Sequence, residues 1–326
     1  MPFILKLVNM PPFPKPTFEY VVDVKKEVKH IKKYRDTKPG RAIPKSSTTN
    51  ILIATWNIAN FGVQKREAEH YKIIAEMITW FDVIAIQEVN DNLEGLIALR
   101  NELPTKYGCI YTDASGNNER MAYLYNKQKI KLLEEFGEIA VPAEDNTDIK
   151  LPGNGSSFSG FSRNPFIASF RCGNFDFMLA NAHSYFGKED ETLSMERRSL
   201  EAYAIARWAD LKRKSKYSQT TNIIALGDFN MPKVEIGDPI YDALLARGFE
   251  MPKHSTEIYS NIKNDKHYDQ VVFLPGLKSK ITSNGSFDFD GALFPDLYDN
   301  KGDIQHRNYV RYYISDHRIK WIEITP

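Results

Sequence analysis

From Asn50 onward the chain alternates short apolar runs with amphipathic stretches. Ile51 to Thr55 reads as a buried strand ending in Trp56-Asn57, and Phe81 to Ile86 as a second one ending in Gln87-Glu88. Between them, residues 66–80 place Ala68, Tyr71, Ile74, Ala75 and Ile78 on one face of a helix. A helix is expected near Leu93–Leu103, then strands at Gly108–Thr112, Met121–Tyr125, Phe166–Arg171 and Phe175–Ala182, the last running into His183. The stretch Val141–Ser162, rich in Gly, Ser, Asn and Asp, reads as a long surface loop. A long helix over Leu193–Lys212 carries the stripe Leu200, Tyr203, Ala204, Trp208 and Leu211. Strand Ile223–Leu226, a helix near Ile240–Arg247 and strands Gln270–Leu274 and Ile319–Ile324 complete the pattern. Strands outnumber helices and long helices are interspersed, which predicts a mixed α+β domain around one core.

Residues 1–49 differ and are read as an N-terminal extension to a single domain spanning 50–326. Within the extension, residues 19–36 have Val21, Val24, Val28 and Ile31 at helical spacing. The opposite face carries Lys25, Lys26, Lys29, Lys32 and Lys33. Such a face is either solvated or a contact for a polyanion or a membrane surface.

Composition narrows the class. With 326 residues, 42% hydrophobic and 26% charged, the chain has ample material for a large core. A formal net charge of +1 gives no global attraction to polyanions, so any such surface is local. Two cysteines, Cys109 and Cys172, are too few for a disulfide framework, and both are expected as buried thiols. Met1–Met10 is apolar, but it is short and followed by Pro11, Pro12 and Pro14, so it does not read as a signal peptide. No apolar run is long enough to span a bilayer, and the expected compartment is the cytoplasm, with no membrane and no protein partner evident.

Chemistry enters at the strand ends. Ile223–Leu226 stops on Gly227 and is followed by Asp228 and Asn230 two positions apart, either a polar pair on one side of a sheet or an Asx-type turn. Asn57, Glu88, His183, Asp269 and Asp316-His317 stand at other strand ends far apart in sequence. Sheet rims gather such ends into binding sites. Carboxylates and amides suit a hard divalent cation, Mg²⁺ or Mn²⁺, with Glu88 and Asp316 as candidates and Asn57 or Asp228 beside them. A histidine with a carboxylate partner suits proton transfer at neutral pH, and His317 with Asp269 is the candidate base pair. Together they predict metal-assisted hydrolysis of a phosphodiester.

The segments Thr55-Trp56-Asn57, Ile86-Gln87-Glu88-Val89, Asn181-Ala182-His183-Ser184, Gly227-Asp228-Phe229-Asn230, Tyr268-Asp269-Gln270-Val271-Val272 and Ser315-Asp316-His317 occur in the order of the endonuclease/exonuclease/phosphatase superfamily. Over residues 50–326 the chain resembles that superfamily, most of all its deoxyribonuclease I-like nucleases. The resemblance implies a four-layer α/β/β/α sandwich. It implies Glu88 as main metal ligand, assisted by Asn57 and Asp316, and two supported imidazoles, His183 with Glu119 and His317 with Asp269. Asp228 and Asn230 would hold the water and a phosphate oxygen, and Arg163 would contact a phosphate. Where deoxyribonuclease I-like enzymes carry groove-reading side chains, this chain has Ala59, Asn90 and Asn117. The expected activity is nucleic-acid phosphodiester hydrolysis, most of all DNA endonuclease action, with RNA as second substrate. A phosphatase or phospholipid phosphodiesterase on the same scaffold is the alternative, and a catalytically inactive binding protein the third reading.

Overall fold

The computed structural model describes residues 13–189, 191–253 and 257–326; the stretch Met1–Met10 lies outside them. Two sheets face each other. The first has the order β10 (Ile281–Phe287), β11 (Ile319–Ile324), β1 (Ile51–Phe61), β2 (Val83–Asn90), β4 (Glu119–Asn126), β3 (Tyr107–Tyr111). The second has the order β5 (Lys131–Glu138), β6 (Phe166–Cys172), β7 (Phe175–His183), β8 (Ile223–Asp228), β9 (Asp269–Phe273). Among the described strands only β1–β2 and β7–β8 pair in parallel.

Alternation along each strand sorts side chains between layers. Ile51, Ile53, Val83, Ala85, Tyr123, Phe177, Leu179, Ile224, Leu226 and Val271 form the core between the sheets. Their neighbours Leu52, Ala54, Trp56, Ile84 and Ile86 face the other way. There they meet α2 (Ala68–Ile78), α3 (Glu94–Glu102), α6 (Pro295–Lys301) and α7 (Asp303–Tyr313). Behind the second sheet, α4 (Thr192–Lys214) and α5 (Pro239–Leu245) pack on Met178, Ala180, Ile223 and Ala225. This is the four-layer α/β/β/α sandwich. Among the described residues, no helix is long and apolar enough to cross a membrane.

Several local expectations change. On α4 the stripe against the sheet is Ala202, Ile205, Ala206 and Ala209. Small residues there let the helix approach closely. Leu200 and Ala204 instead cover Ile149 and Phe158, so the 141–162 segment is partly anchored, and Leu211 is 46% exposed. The basic helix is α1 (Val24–Thr37), capped by Asp23; Val21 precedes it and is 92% exposed. What docks the extension is Ile31 with a buried carboxylate, Glu27, which accepts the Phe294 N–H at 2.8 Å. Tyr20 packs on Phe294 and Tyr309, and Arg41 forms a two-pronged pair with Asp288. On the basic face, Lys26 and Lys32 pair with Asp296 and Glu76. Cys109 and Cys172 are free and half-buried rather than fully buried, with burial pushing the Cys109 thiol up to about 11.

Candidate active site

The same alternation that builds the inter-sheet core delivers the site. Continuing inward-facing positions beyond the apolar run brings Asn57 after Ile51 and Ile53, and His183 after Phe177 and Leu179. It brings Asp228 after Ile224 and Leu226, Asp269 before Val271, and Glu119 before Met121 and Tyr123. All these side chains are buried at one end of the sandwich. Glu88 breaks the parity. The β2–β4 register shifts between Ile86 and Val89, and Glu88 has φ 59°. A bulge of this kind re-aims a side chain, and left-handed backbone at a non-glycine residue is strain kept at a functional position. Gly227 has φ 138°, and a Cβ there would lie 2.0 Å from the Ala182 carbonyl oxygen, so this turn in β8 admits glycine alone.

The contacts form one network. Asn57 Nδ2 donates to Glu88 Oε1 at 2.8 Å and to Asp228 Oδ2 at 3.0 Å, and the Asn60 N–H donates to Glu88 Oε2 at 2.7 Å. His317 Nδ1 is hydrogen-bonded to Asp269 Oδ2 at 2.8 Å. His183 Nδ1 lies 2.9 Å from Glu119 Oε2, with Arg163 Nε 2.7 Å from the same oxygen. Asp228 Oδ2 sits between the imidazoles, 3.8 Å from His183 Nε2 and 3.7 Å from His317 Nδ1. Asp228 Oδ1 also accepts the Asn230 N–H at 2.9 Å, so the Asx-type turn and the paired polar side chains are one structure. Asn230 Nδ2 donates to the Ser184 carbonyl at 2.8 Å.

Electrostatics follow from burial and these partners. Burial pushes Glu88 up, with Glu119 adding to the effect. Burial opposes ionisation of Asp228 too, but His317 and His183 hold it below the ordinary carboxylate range. Burial raises Asp269. His317 rises well above the usual imidazole value, because Asp269, Asp316 and Asp228 outweigh its burial. Glu119, although buried, is brought to about 2 by His183 and Arg163.

Two groups of side chains suit a divalent cation. Asp228, Asp269 and His317 bring ligand-type atoms within 4.8 Å of one another, but the hydrogen bonds above already occupy them. Glu88 and Asn57, joined by their hydrogen bond, offer an all-oxygen alternative, with Asp316 lining the same cleft, and Asn57 Oδ1 is buried without a partner among the described residues. An orphaned buried oxygen beside a buried carboxylate fits a hard cation.

Around this centre lies a cleft of about 1110 Å³, lined by Asn57's neighbours Ala59 and Asn60, by Glu88, Arg163, His183, Asp228, Asn230, Asp316 and His317. Arg163 is buried, and its donors point at Glu119 and at the His183 and Ser184 carbonyls. Two buried charges on α4 were not legible as site residues. Arg198 Nη1 donates to the Asn230 carbonyl at 3.2 Å, and Glu201 accepts the Ser162 and Tyr185 N–H groups at 2.9 Å. Charged residues on the apolar side of a helix were their only signal.

The sequence model of the Endonuclease/Exonuclease/phosphatase family matches residues 54–237. The chain belongs to this family, whose members are hydrolases of phosphodiesters or phosphate esters. Solved structures share the fold. The human Nocturnin catalytic domain with bound sulfate is 14% identical, covers 86% of this chain and 94% of its own, and has a TM-score of 0.55. The D. rerio TDP2 complexed with single strand DNA product is 14% identical over 85% of this chain and 100% of its own, TM-score 0.53. A Bacteroides thetaiotaomicron mannosyl-6-phosphatase is 18% identical over 83% of this chain and 98% of its own, TM-score 0.51. Among curated proteins, no sequence matches the chain.

Lys320 supplies a stability prediction. It continues the inward-facing positions of β11, donates from Nζ to the Ile258 carbonyl at 2.9 Å, and pairs with no carboxylate among the described residues; burial brings it down to about 7, against Asp269 and with Arg318. Its unfolded value is near 10.5, so between these values the unfolded chain binds more protons. The stability Lys320 contributes is therefore present above pH 10.5 and lost as pH falls through 7. In urea titrations the unfolding free energy should climb from pH 7 to pH 9. In Lys320→Met the climb should shrink; an identical slope would place the charge elsewhere.

Proposed function

We propose that this protein is a metal-dependent phosphodiesterase that hydrolyses nucleic-acid phosphodiester bonds, DNA first and RNA second, by internal cleavage, with Mg²⁺ or Mn²⁺ as cofactor. The observation that carries this reading is the meeting of two carboxylate-backed imidazoles, His317–Asp269 and His183–Glu119, on either side of Asp228. Glu88, Asn57 and Asp316 would hold the cation, which when bound supplies positive charge for the phosphoryl oxygens. Asp228 and Asn230 orient the attacking water and a phosphate oxygen. One imidazole takes the proton of the water and the other returns a proton to the leaving oxygen. Arg163 keeps Glu119 ionised beside His183, and with its donors held by Glu119 and the His183 and Ser184 carbonyls it acts on a phosphate through its charge rather than by a free donor. A cleft of about 1110 Å³ exceeds what a single small ligand requires and suits a polymer.

The complete set of acids, amides and imidazoles argues against an inactive binding protein. The exposed Lys25, Lys29 and Lys33 of α1 have no ion-pair partner among the described residues and supply a local basic stripe that suits a polyanion. We place the protein in the cytoplasm on its two free cysteines. The test is a panel of supercoiled plasmid, single-stranded DNA, RNA, inositol phosphates and sphingomyelin, each with Mg²⁺, Mn²⁺ or chelator. Plasmid nicking that chelator stops is the expected result. Phosphate release from inositol phosphates with every nucleic acid intact would overturn the reading in favour of a phosphatase.

A further inference from the structure

The start of the described chain reaches the cleft. Phe13 and Pro14 line it together with Ile304, Arg307, Asn308 and Arg311 of α7. Phe13 is fixed through its N–H, which donates to Gln64 Oε1 at 3.0 Å; Gln64 in turn donates to the Tyr312 carbonyl at 2.8 Å. The Arg311 guanidinium lies over the Phe13 ring, 4.5 Å from its centroid.

Arg311 differs from the other arginines around the cleft. Arg163 is committed to Glu119, Arg307 to Asp303, and Arg198 to backbone carbonyls. Among the described residues Arg311 donates only to Asn308 Oδ1 at 3.1 Å, and its buried Nε has no partner there. Among the described residues no carboxylate pairs with it. An aromatic face holds the flat guanidinium in place without neutralising it, leaving donors for an incoming anion. Lys263 is a second cleft cation with no pair among the described residues, and its neighbour Ile262 is tied by its N–H to the Asp316 carbonyl at 2.9 Å. Arg311 is joined to Asp316 and His317 through the end of α7. Both free cations are thus attached to the Asp316–His317 side of the site.

We infer that Arg311, braced on Phe13 and accompanied by Lys263, forms a subsite for a second phosphate, one the enzyme holds but does not cut. Its ligand class is a chain of phosphodiesters, such as an oligonucleotide strand, and not an ester with one phosphate. The inference rests on the nuclease reading for its substrate, and it makes the N-terminal extension part of substrate recognition. Phe13 is a positioning residue acting through Arg311.

The test uses the full chain. Turnover is measured on a 12-nucleotide single-stranded DNA and on bis(p-nitrophenyl) phosphate, which has one phosphate. Binding of the same fluorescein-labelled DNA is measured by anisotropy across a salt series in a His317→Ala background. Arg311→Gln should raise KM for the oligonucleotide about tenfold with little change in kcat, so the kcat/KM ratio of the two substrates falls about tenfold. The slope of log K against log salt should shrink by roughly 0.7 for one lost contact to a single strand. Phe13→Ala should weaken binding less and keep the slope, since the charge remains, and Arg311→Lys should also keep it. Lys131→Gln, on the outer edge strand of the second sheet, controls for net charge. Equal losses on both substrates, a loss in kcat alone, or an unchanged slope would overturn the subsite. Should the wild type cleave no nucleic acid, the nuclease reading fails, and anisotropy still decides the subsite: Arg311-dependent binding upholds it and Arg311-independent or absent binding overturns it.

Discussion

Glu88→Gln should abolish hydrolysis, lowering kcat/KM by about a thousandfold or more, while the melting midpoint stays close to wild type. Two features argue for an effect of that size. Among the described residues Glu88 is the one carboxylate that the fold strains its backbone to place, with a bulge and φ 59° turning it into the inter-sheet site. A buried carboxylate whose ionisation burial resists is poorly placed for stability and well placed for a cation, whose charge would offset that cost. Losing electrostatic support for a phosphoryl transition state costs several kcal/mol, hence orders of magnitude in rate. The fold should tolerate the change because glutamine keeps the shape. Its one side-chain oxygen can keep either the Asn57 Nδ2 or the Asn60 N–H bond, so the exchange costs one hydrogen bond, about 1 kcal/mol, offset by removing a buried charge whose ionisation burial resists. Calorimetric titration with Mn²⁺ gives an independent reading, with affinity expected to drop alongside rate. A variant that keeps more than a tenth of wild-type kcat/KM would remove Glu88 from the centre of the site.

The site residues separate cleanly by what made them visible. Asn57, His183, Asp228 and Asp269 extend an alternating strand pattern into polar territory, so simple parity already aims them between the sheets. Parity alone puts Glu88 on the helix side with Ile84 and Ile86, and only a register shift that no local sequence signal announces brings it back. Elements with weak periodicity were silent. β5 and β10 are edge strands with Glu, Asn, Gly and Ser among their residues, and α7 mixes Gln, Arg and Asn with the buried His306 and Tyr309. The Phe13–Arg311 stack joins residues from opposite ends of the chain. Such a contact is set by tertiary packing and leaves no trace in any window of sequence. Val21 shows the converse error: it fits the helical spacing of Val24, Val28 and Ile31, yet the Asp23 cap starts the helix after it.

His317→Ala should lower kcat by about 10³-fold, and Asp269→Asn by a smaller factor, roughly 10 to 100. The geometry sets this order. The imidazole faces the cleft, whereas Asp269 is fully buried behind it, its backbone N–H donating to Ser260 Oγ at 2.9 Å and its carboxylate holding His317 Nδ1 at 2.8 Å. Asparagine can still accept a hydrogen bond from that nitrogen, so it keeps the ring oriented but no longer stabilises its charge. If the two residues work as one proton-handling unit, the double variant should be no slower than His317→Ala alone, because the carboxylate has nothing left to act through. Independent roles would instead multiply the two losses. Stability should follow the same order as activity. His317→Ala leaves the buried Asp269 carboxylate without its partner at a cost of about 1–3 kcal/mol, whereas Asp269→Asn removes a buried charge that its surroundings already disfavour. Single-turnover rates and urea midpoints for the three variants therefore test the pair twice. A double variant slower than His317→Ala by the full Asp269→Asn factor would show that the carboxylate serves something other than this histidine.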